Sequence, residues 1–283
     1  MGKWSLSRLK GTWQEVAVTS SRVGEVPRSQ DRTGTPSGAD EAALALGHVR
    51  SARVLRQPKV PSWALKVIMA ITGVLFTLFV SVHMIGNLKV FTGAEHFNEY
   101  AHWLRTILQP FLPYEGLLWI LRVALVVSLV AHVWSAALIW GRSRTSRGSH
   151  RRRGMWVTSF TARTMPVTGI LLLGFVAFHV LDLTTGTPGV AAGSFRPGTI
   201  ETAHAYENLV ASLQRPWAAA FYMVSMLALF LHLAHGLRTV MSDLGATGKR
   251  VRTVGWVVAG VLALSVMLGN IIIPIAVWTG VLS

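Results

Sequence analysis

Residues 164–183 read TMPVTGILLLGFVAFHVLDL, twenty residues that hold one histidine, His179, and one charged residue, Asp182. The hydrocarbon core of a bilayer is about 30 Å thick, and about 20 apolar residues in a helix cross it. The stretch therefore reads as a transmembrane helix. Four others read the same way, at 63–88, 116–140, 217–237 and 253–281. The expected fold is all-α, an integral membrane protein with five transmembrane helices. Pro166 falls in the first turn of its span, where a missing N–H is harmless, whereas Pro274 and the Gly269-Asn270 pair loosen the last span.

Composition agrees with this reading. Of 283 residues, 51% are hydrophobic and 14% charged; a globular domain carries about 25% charged residues. The net charge of +15 lies mostly beside the apolar spans. There basic residues set topology and meet anionic lipid, so membrane lipid is an expected partner and nucleic acid is not. With no cysteine, the chain supplies no disulfide, no thiol for covalent haem attachment and no sulfur ligand for an iron–sulfur cluster. Residues 1–62 are rich in Ser, Gly and Arg, with ten Lys/Arg against five Asp/Glu and no signal-peptide pattern. They read as a basic, largely disordered cytoplasmic extension, with a short amphipathic piece at 4–16, ahead of a five-helix domain at 63–283.

Loop charge orients the spans. The loop 142–163 carries seven basic residues (Arg142, Arg144, Arg147, Arg151, Arg152, Arg153 and Arg163) and the loop 238–252 carries four. The alternate loops, 89–115 and 184–216, carry two each. Positive-inside then places the N-terminus in the cytoplasm and the C-terminus outside, in a multi-pass protein of the cell membrane.

Each of the first four spans contains histidine: His83, His132, His179, and the doublet His232 and His235. An ionisable side chain at membrane depth is costly and marks a candidate site, although a single one can serve as a helix–helix hydrogen-bond partner. With the helices oriented, His83 lies roughly 25–30 Å and His179 roughly 22 Å along outward-running helices, so both are in the outer half. His132 and the doublet lie roughly 24–28 Å from the outer ends of inward-running helices, in the inner half. The outer pair comes from spans one and three, the inner pair from spans two and four. Diagonal helices of a bundle set such residues across the core from one another, where cofactors are built. Two imidazoles on facing helices suit the iron of a b-type haem, and the first four spans are expected to form a cofactor-binding bundle. Glycines at 73, 169, 174 and 236 leave room for a flat macrocycle, and serve equally as packing residues. In the doublet, His235 beside Gly236 is the expected ligand. His232 is the alternative, and matches His132 better in depth.

These residues resemble the membrane-anchor cytochrome b subunit of succinate dehydrogenase/fumarate reductase (respiratory complex II), in its single-chain, five-helix, di-haem form. The resemblance covers about residues 60–283. It rests on SVHMIGN at 81–87, FNEYA at 97–101, His132, FHVLD at 178–182, AYENLVASLQRP at 205–216, and HLAHG at 232–236 with Leu244-Gly245. It implies His83 and His179 as ligands of an outer haem b, and His132 and His235 as ligands of an inner one. It also implies a flavoprotein and an iron–sulfur subunit as partners on the cytoplasmic side, and membrane quinone as substrate. The chain would anchor the complex and pass electrons from the iron–sulfur subunit to quinone. No succinate-oxidising chemistry would lie in the chain itself, which has no GxGxxG fingerprint and no Cys cluster. At the inner pair a Rieske-type [2Fe–2S] centre, with cysteines from a partner, is an alternative occupant. Alternative functions are the di-haem anchor of another respiratory oxidoreductase, or a histidine-lined transporter or proton channel.

Further residues are singled out by position. Arg122, within span two, is a candidate for a haem propionate or a quinone carbonyl, or snorkels to the outer interface. Tyr114 and Glu115 at the outer mouth, and Trp63 and Lys66 at the inner mouth, are candidate quinone contacts. Asp182, one turn beyond His179, reads as a solvated helix end, with orientation of the His179 ring as the alternative. His96, His102, His150 and His204 read as solvated loop residues, and His48 lies in the extension. The segment 93–113 has helical periodicity and is expected to lie flat on the outer surface.

Overall fold

The structure, a computed structural model, describes residues 60–147, 156–246 and 248–283. Most of the basic extension, with its segment 4–16 and His48, lies outside the described residues, as do His150 and Arg151, Arg152 and Arg153. The described residues belong to one compact unit, Lys59–Ser283. They form seven helices and no strand: α1 (Ser62–Asn87), α2 (Ala94–Thr106), α3 (Gly116–Arg147), α4 (Trp156–His179), α5 (Ala205–Leu213), α6 (Pro216–Asp243) and α7 (Lys249–Trp278). A 3₁₀ turn, Leu88–Thr92, follows α1, and a π-helical turn, Val180–Thr184, follows α4. Five helices, α1, α3, α4, α6 and α7, are long and apolar enough to cross a membrane.

The helices outrun their apolar stretches. Arginine and lysine are good helix formers, and backbone hydrogen bonds continue past the hydrocarbon boundary. α3 reaches Arg147 rather than stopping at residue 140. Arg142 donates to the Val60 carbonyl (2.8 Å) and to Ser62 Oγ (2.9 Å), tying the start of α1 to the end of α3. α4 begins at Trp156, so Pro166 lies inside the helix instead of in its first turn. α6 does start on a proline, Pro216 at N1.

α1 packs on α3, and α4 on α6, as two antiparallel pairs; α1 and α6 join the pairs. This leaves α1 across the bundle from α4, and α3 across from α6. α7 packs on α6 and on α1 from outside. Small residues let the backbones approach: Ala218, Ala219, Ser225 and Ala228 on α6, Ala259 and Ala263 on α7, all buried. At Gly269 on α7 a methyl group would collide with Met84 Sδ of α1 and lie 2.9 Å from its Cγ. A larger residue there would oblige the flexible Met84 side chain to move aside, and the same two helices share an Asn87–Asn270 hydrogen bond of 3.2 Å. Outward faces are apolar: Val123, Val126, Val127 and Val130 on α3, and Val254, Val257, Val258 and Val261 on α7, are all exposed. Such surface suits lipid rather than water.

At the end read as outer, α2 packs on α5, α3 and the 3₁₀ turn. Asn98 fastens it, donating to both Glu207 carboxylate oxygens (3.1 and 3.0 Å) and accepting from the Tyr206 N–H (2.9 Å). α2 stops at Thr106, short of the helix expected to 113. Pro110 and Pro113 disfavour a continuing helix, and Leu108 and Glu115 adopt left-handed φ of 70° and 59° where the chain turns back.

Candidate functional site: two histidine pairs in the bundle

The outer pair closes across α1 and α4. His83 lies in the last turns of α1 and His179 ends α4. Their ring centres are 5.9 Å apart, with planes at 87°. Phe79, one turn back on α1, stacks on His83 at 5.4 Å. His179 Nδ1 lies 3.2 Å from the Tyr222 hydroxyl of α6, and that hydroxyl donates to Asp182 Oδ2 at 3.2 Å. A carboxylate only accepts, so the phenol spends its proton on Asp182 and accepts the one on Nδ1. The lone pair of His179 is thereby left on Nε2.

Asp182 is not a solvated helix end. It is fully buried in the π-helical turn, where Ser212 donates to Oδ2 and Arg215 to Oδ1. α5 and the start of α6 fold over this turn and exclude water.

The inner pair is His132 with His232, with ring centres 6.4 Å apart. Their surroundings repeat. Thr72 Oγ1 lies 2.9 Å from His132 Nδ1, and Thr168 Oγ1 lies 3.1 Å from His232 Nδ1. Each hydroxyl donates its proton to carbonyls of its own helix: Thr72 to Ile68 and Met69, Thr168 to Thr164 and Met165. Each therefore accepts from the imidazole, and Nε2 again keeps the lone pair. The following glycines, Gly73 and Gly169, lie beside the same rings. A Cβ on them would meet only His132 Cε1 at 3.8 Å and His232 Cε1 at 3.5 Å.

His235 sits one turn farther along α6, three residues beyond His232, as Ser135 sits three beyond His132. His235 Nδ1 and Ser135 Oγ are buried with no hydrogen-bond partner among the described residues. The structure thus brings together His132 and His232, the alternative member of the doublet.

The threonines and Tyr222 escaped the sequence reading. For the threonines a signal exists: Met-x-x-Thr-Gly recurs at 69–73 and 165–169, each eleven residues ahead of an outer histidine (72 to 83, 168 to 179). Tyr222 carries no such mark, since only the packing of α6 on α4 brings it to His179.

The other candidates fall at the two mouths. Glu115 accepts from Arg105 Nε (3.1 Å) and from Arg122 Nη1 (2.8 Å), and Arg122 lies over the Trp119 ring at 4.9 Å. Burial pushes the Glu115 carboxyl up, but hydrogen bonds and charge from Arg122, then Arg105, outweigh it and hold the group below the usual carboxylate range. Arg122 thus turns back to the outer mouth. Tyr114 donates to the Thr199 carbonyl at 2.6 Å. At the inner mouth Trp63 is exposed, and Lys66 pairs with Asp243 at 3.0 Å. His102, expected to be solvated, bonds to the Ile200 carbonyl at 2.8 Å.

The donor set can be tested against a metal group. Among the described residues no cluster of three or more His, Cys, Asp or Glu could hold a metal ion. Each pair offers two imidazoles only, so the remaining coordination must come with the group. With metal–imidazole bonds of about 2 Å, two rings on opposite sides of one iron have centres roughly 6 Å apart, and rings on neighbouring tetrahedral corners roughly 5 Å. The observed 5.9 and 6.4 Å are compatible in separation with one metal ion held between the two rings of each pair.

The fold and these sites define an all-α, multi-pass membrane protein with paired imidazoles at two depths of its bundle. Residues 141–269, covering α4, α6 and much of α7, match the family model described as the succinate dehydrogenase/fumarate reductase transmembrane subunit, a match over somewhat less than half of the chain. That stretch is thus similar to the transmembrane subunit of a succinate dehydrogenase/fumarate reductase complex. No curated protein and no solved structure gives a significant match.

Proposed function

We propose that the chain holds two b haems, the outer between His83 and His179 and the inner between His132 and His232, and carries electrons from an iron–sulfur subunit to membrane quinone. The observation that carries this reading is the pair of facing imidazoles at each depth, 5.9 and 6.4 Å between ring centres. When bound, haem iron supplies one-electron transfer. The chain's own residues do the positioning. Thr72 and Thr168 hold the inner Nδ1 atoms and Tyr222 holds that of His179, so three of the four rings present Nε2. Gly73 and Gly169 keep helix surface bare beside the inner pair. Within the doublet this favours His232, whose ring is oriented, over His235.

The iron–sulfur and flavoprotein subunits dock on the cytoplasmic side, which loop charge assigns to the end near Trp63 and Lys66. Quinone binds at the outer mouth, where Arg122 and Glu115 offer charged donors and acceptors beside the exposed Trp119, with Tyr114 in the adjoining loop.

A reduced-minus-oxidised spectrum with metal analysis of the purified complex tests the reading. Two low-spin b-haem signals per chain are expected. Iron and sulfide with haem missing at the inner pair would favour a Rieske-type centre there, and a complex with no metal in this subunit would sink both.

A further inference from the structure

Among the buried polar groups, Asp182 stands apart because it is a charged side chain, fully buried beside a partly exposed Arg215 and linked to a histidine of the outer pair. We propose that Asp182 and Tyr222 are positioning residues for His179, which raise the basicity of its Nε2 and hold down the potential of the outer centre. The inference rests on the function proposed above.

The argument begins with cost. Burying an ion pair brings little net stability, because desolvation offsets the Coulomb gain, so such a pair inside a membrane bundle needs another reason. The π-helical turn that carries Asp182 is itself a feature that often marks functional sites. Arg215 and Ser212 compensate the carboxylate, and Arg215 is fixed in turn by the Val190 carbonyl and by the Trp217 ring at 4.9 Å.

What remains on Oδ2 points through Tyr222 to His179. A phenol that donates to a carboxylate becomes a better acceptor through its oxygen, since linked hydrogen bonds polarise one another. The Nδ1 proton of His179 is drawn toward it, and a ligand imidazole so bonded is more basic at the other nitrogen. A more basic ligand favours the oxidised metal. The inner rings face neutral threonine hydroxyls instead, so similar imidazole pairs are given unequal environments.

The test is a potentiometric titration of the two b-haem bands in the assembled complex, with electron paramagnetic resonance of the oxidised haems. The outer haem is identified as the one missing from His83→Ala. Tyr222→Phe removes one hydroxyl and leaves Asp182 with Arg215 and Ser212. It is expected to raise the outer midpoint potential and leave the inner one unmoved. Asp182→Asn shifts the same haem in the same direction, while Thr168→Val moves only the inner one. Loss of the outer haem alone in Tyr222→Phe also supports the proposal, because the retained inner haem shows an intact fold. Full haem content with an unshifted outer potential, or equal shifts in both haems, overturns the relay and leaves the functional reading standing. A wild-type complex without haem overturns that reading, and the relay with it.

Discussion

At the scale of single residues, the protein assigns tautomers through hydroxyl groups. A threonine in a membrane helix ordinarily returns its proton to a carbonyl one turn back. Thr72 and Thr168 do so, and their remaining lone pairs fix the Nδ1–H of His132 and His232. Such outer contacts typically cost 10–100-fold in metal affinity when removed. His235 has no comparable partner among the described residues. His232→Ala is therefore expected to lose the inner haem, halving haem per chain in a pyridine haemochrome assay, while His235→Ala keeps both. The opposite result would return the ligand role to His235. The sequence made both histidines visible, but their spacing of three residues puts them within one helical turn, which periodicity cannot separate.

Whole elements show where hydropathy stops being informative. The five spans were legible because lipid demands long apolar segments, yet their ends were not: α3 runs to Arg147 and α4 starts at Trp156. Asp182 failed for the same reason. Its place at the end of an apolar stretch suggests solvent, whereas the π-helical turn and Ser212 and Arg215 enclose it. Helix crossings are likewise settled by shape. Gly269→Val is expected to drive a branched side chain into Met84 and lower stability by about 1–3 kcal/mol, the usual range for overpacking. Thermal unfolding in detergent would show it. Met84→Ala in the same chain should restore much of the loss, and additive effects of the two changes would refute the contact.

For the whole molecule the open question is direction. Seven basic residues in the loop 142–163 and four in 238–252, against two in each alternate loop, lead to the expectation that the N-terminus is cytoplasmic. Reporters fused at the C-terminus should be active outside, and those placed in the loop 142–163 inside. The reverse pattern would invert the inner and outer names used for the two pairs. The sequence by itself determined the membrane class and the number of spans, and set the order of the histidines along them, because a bilayer reads hydropathy and length along one axis. Only the tertiary structure decided which rings lie close together, His83 with His179 and His132 with His232, and that Asp182 is buried beside Tyr222 and His179. Those are facts of rotation and packing around the bundle, and they arise from contacts between helices far apart in the chain.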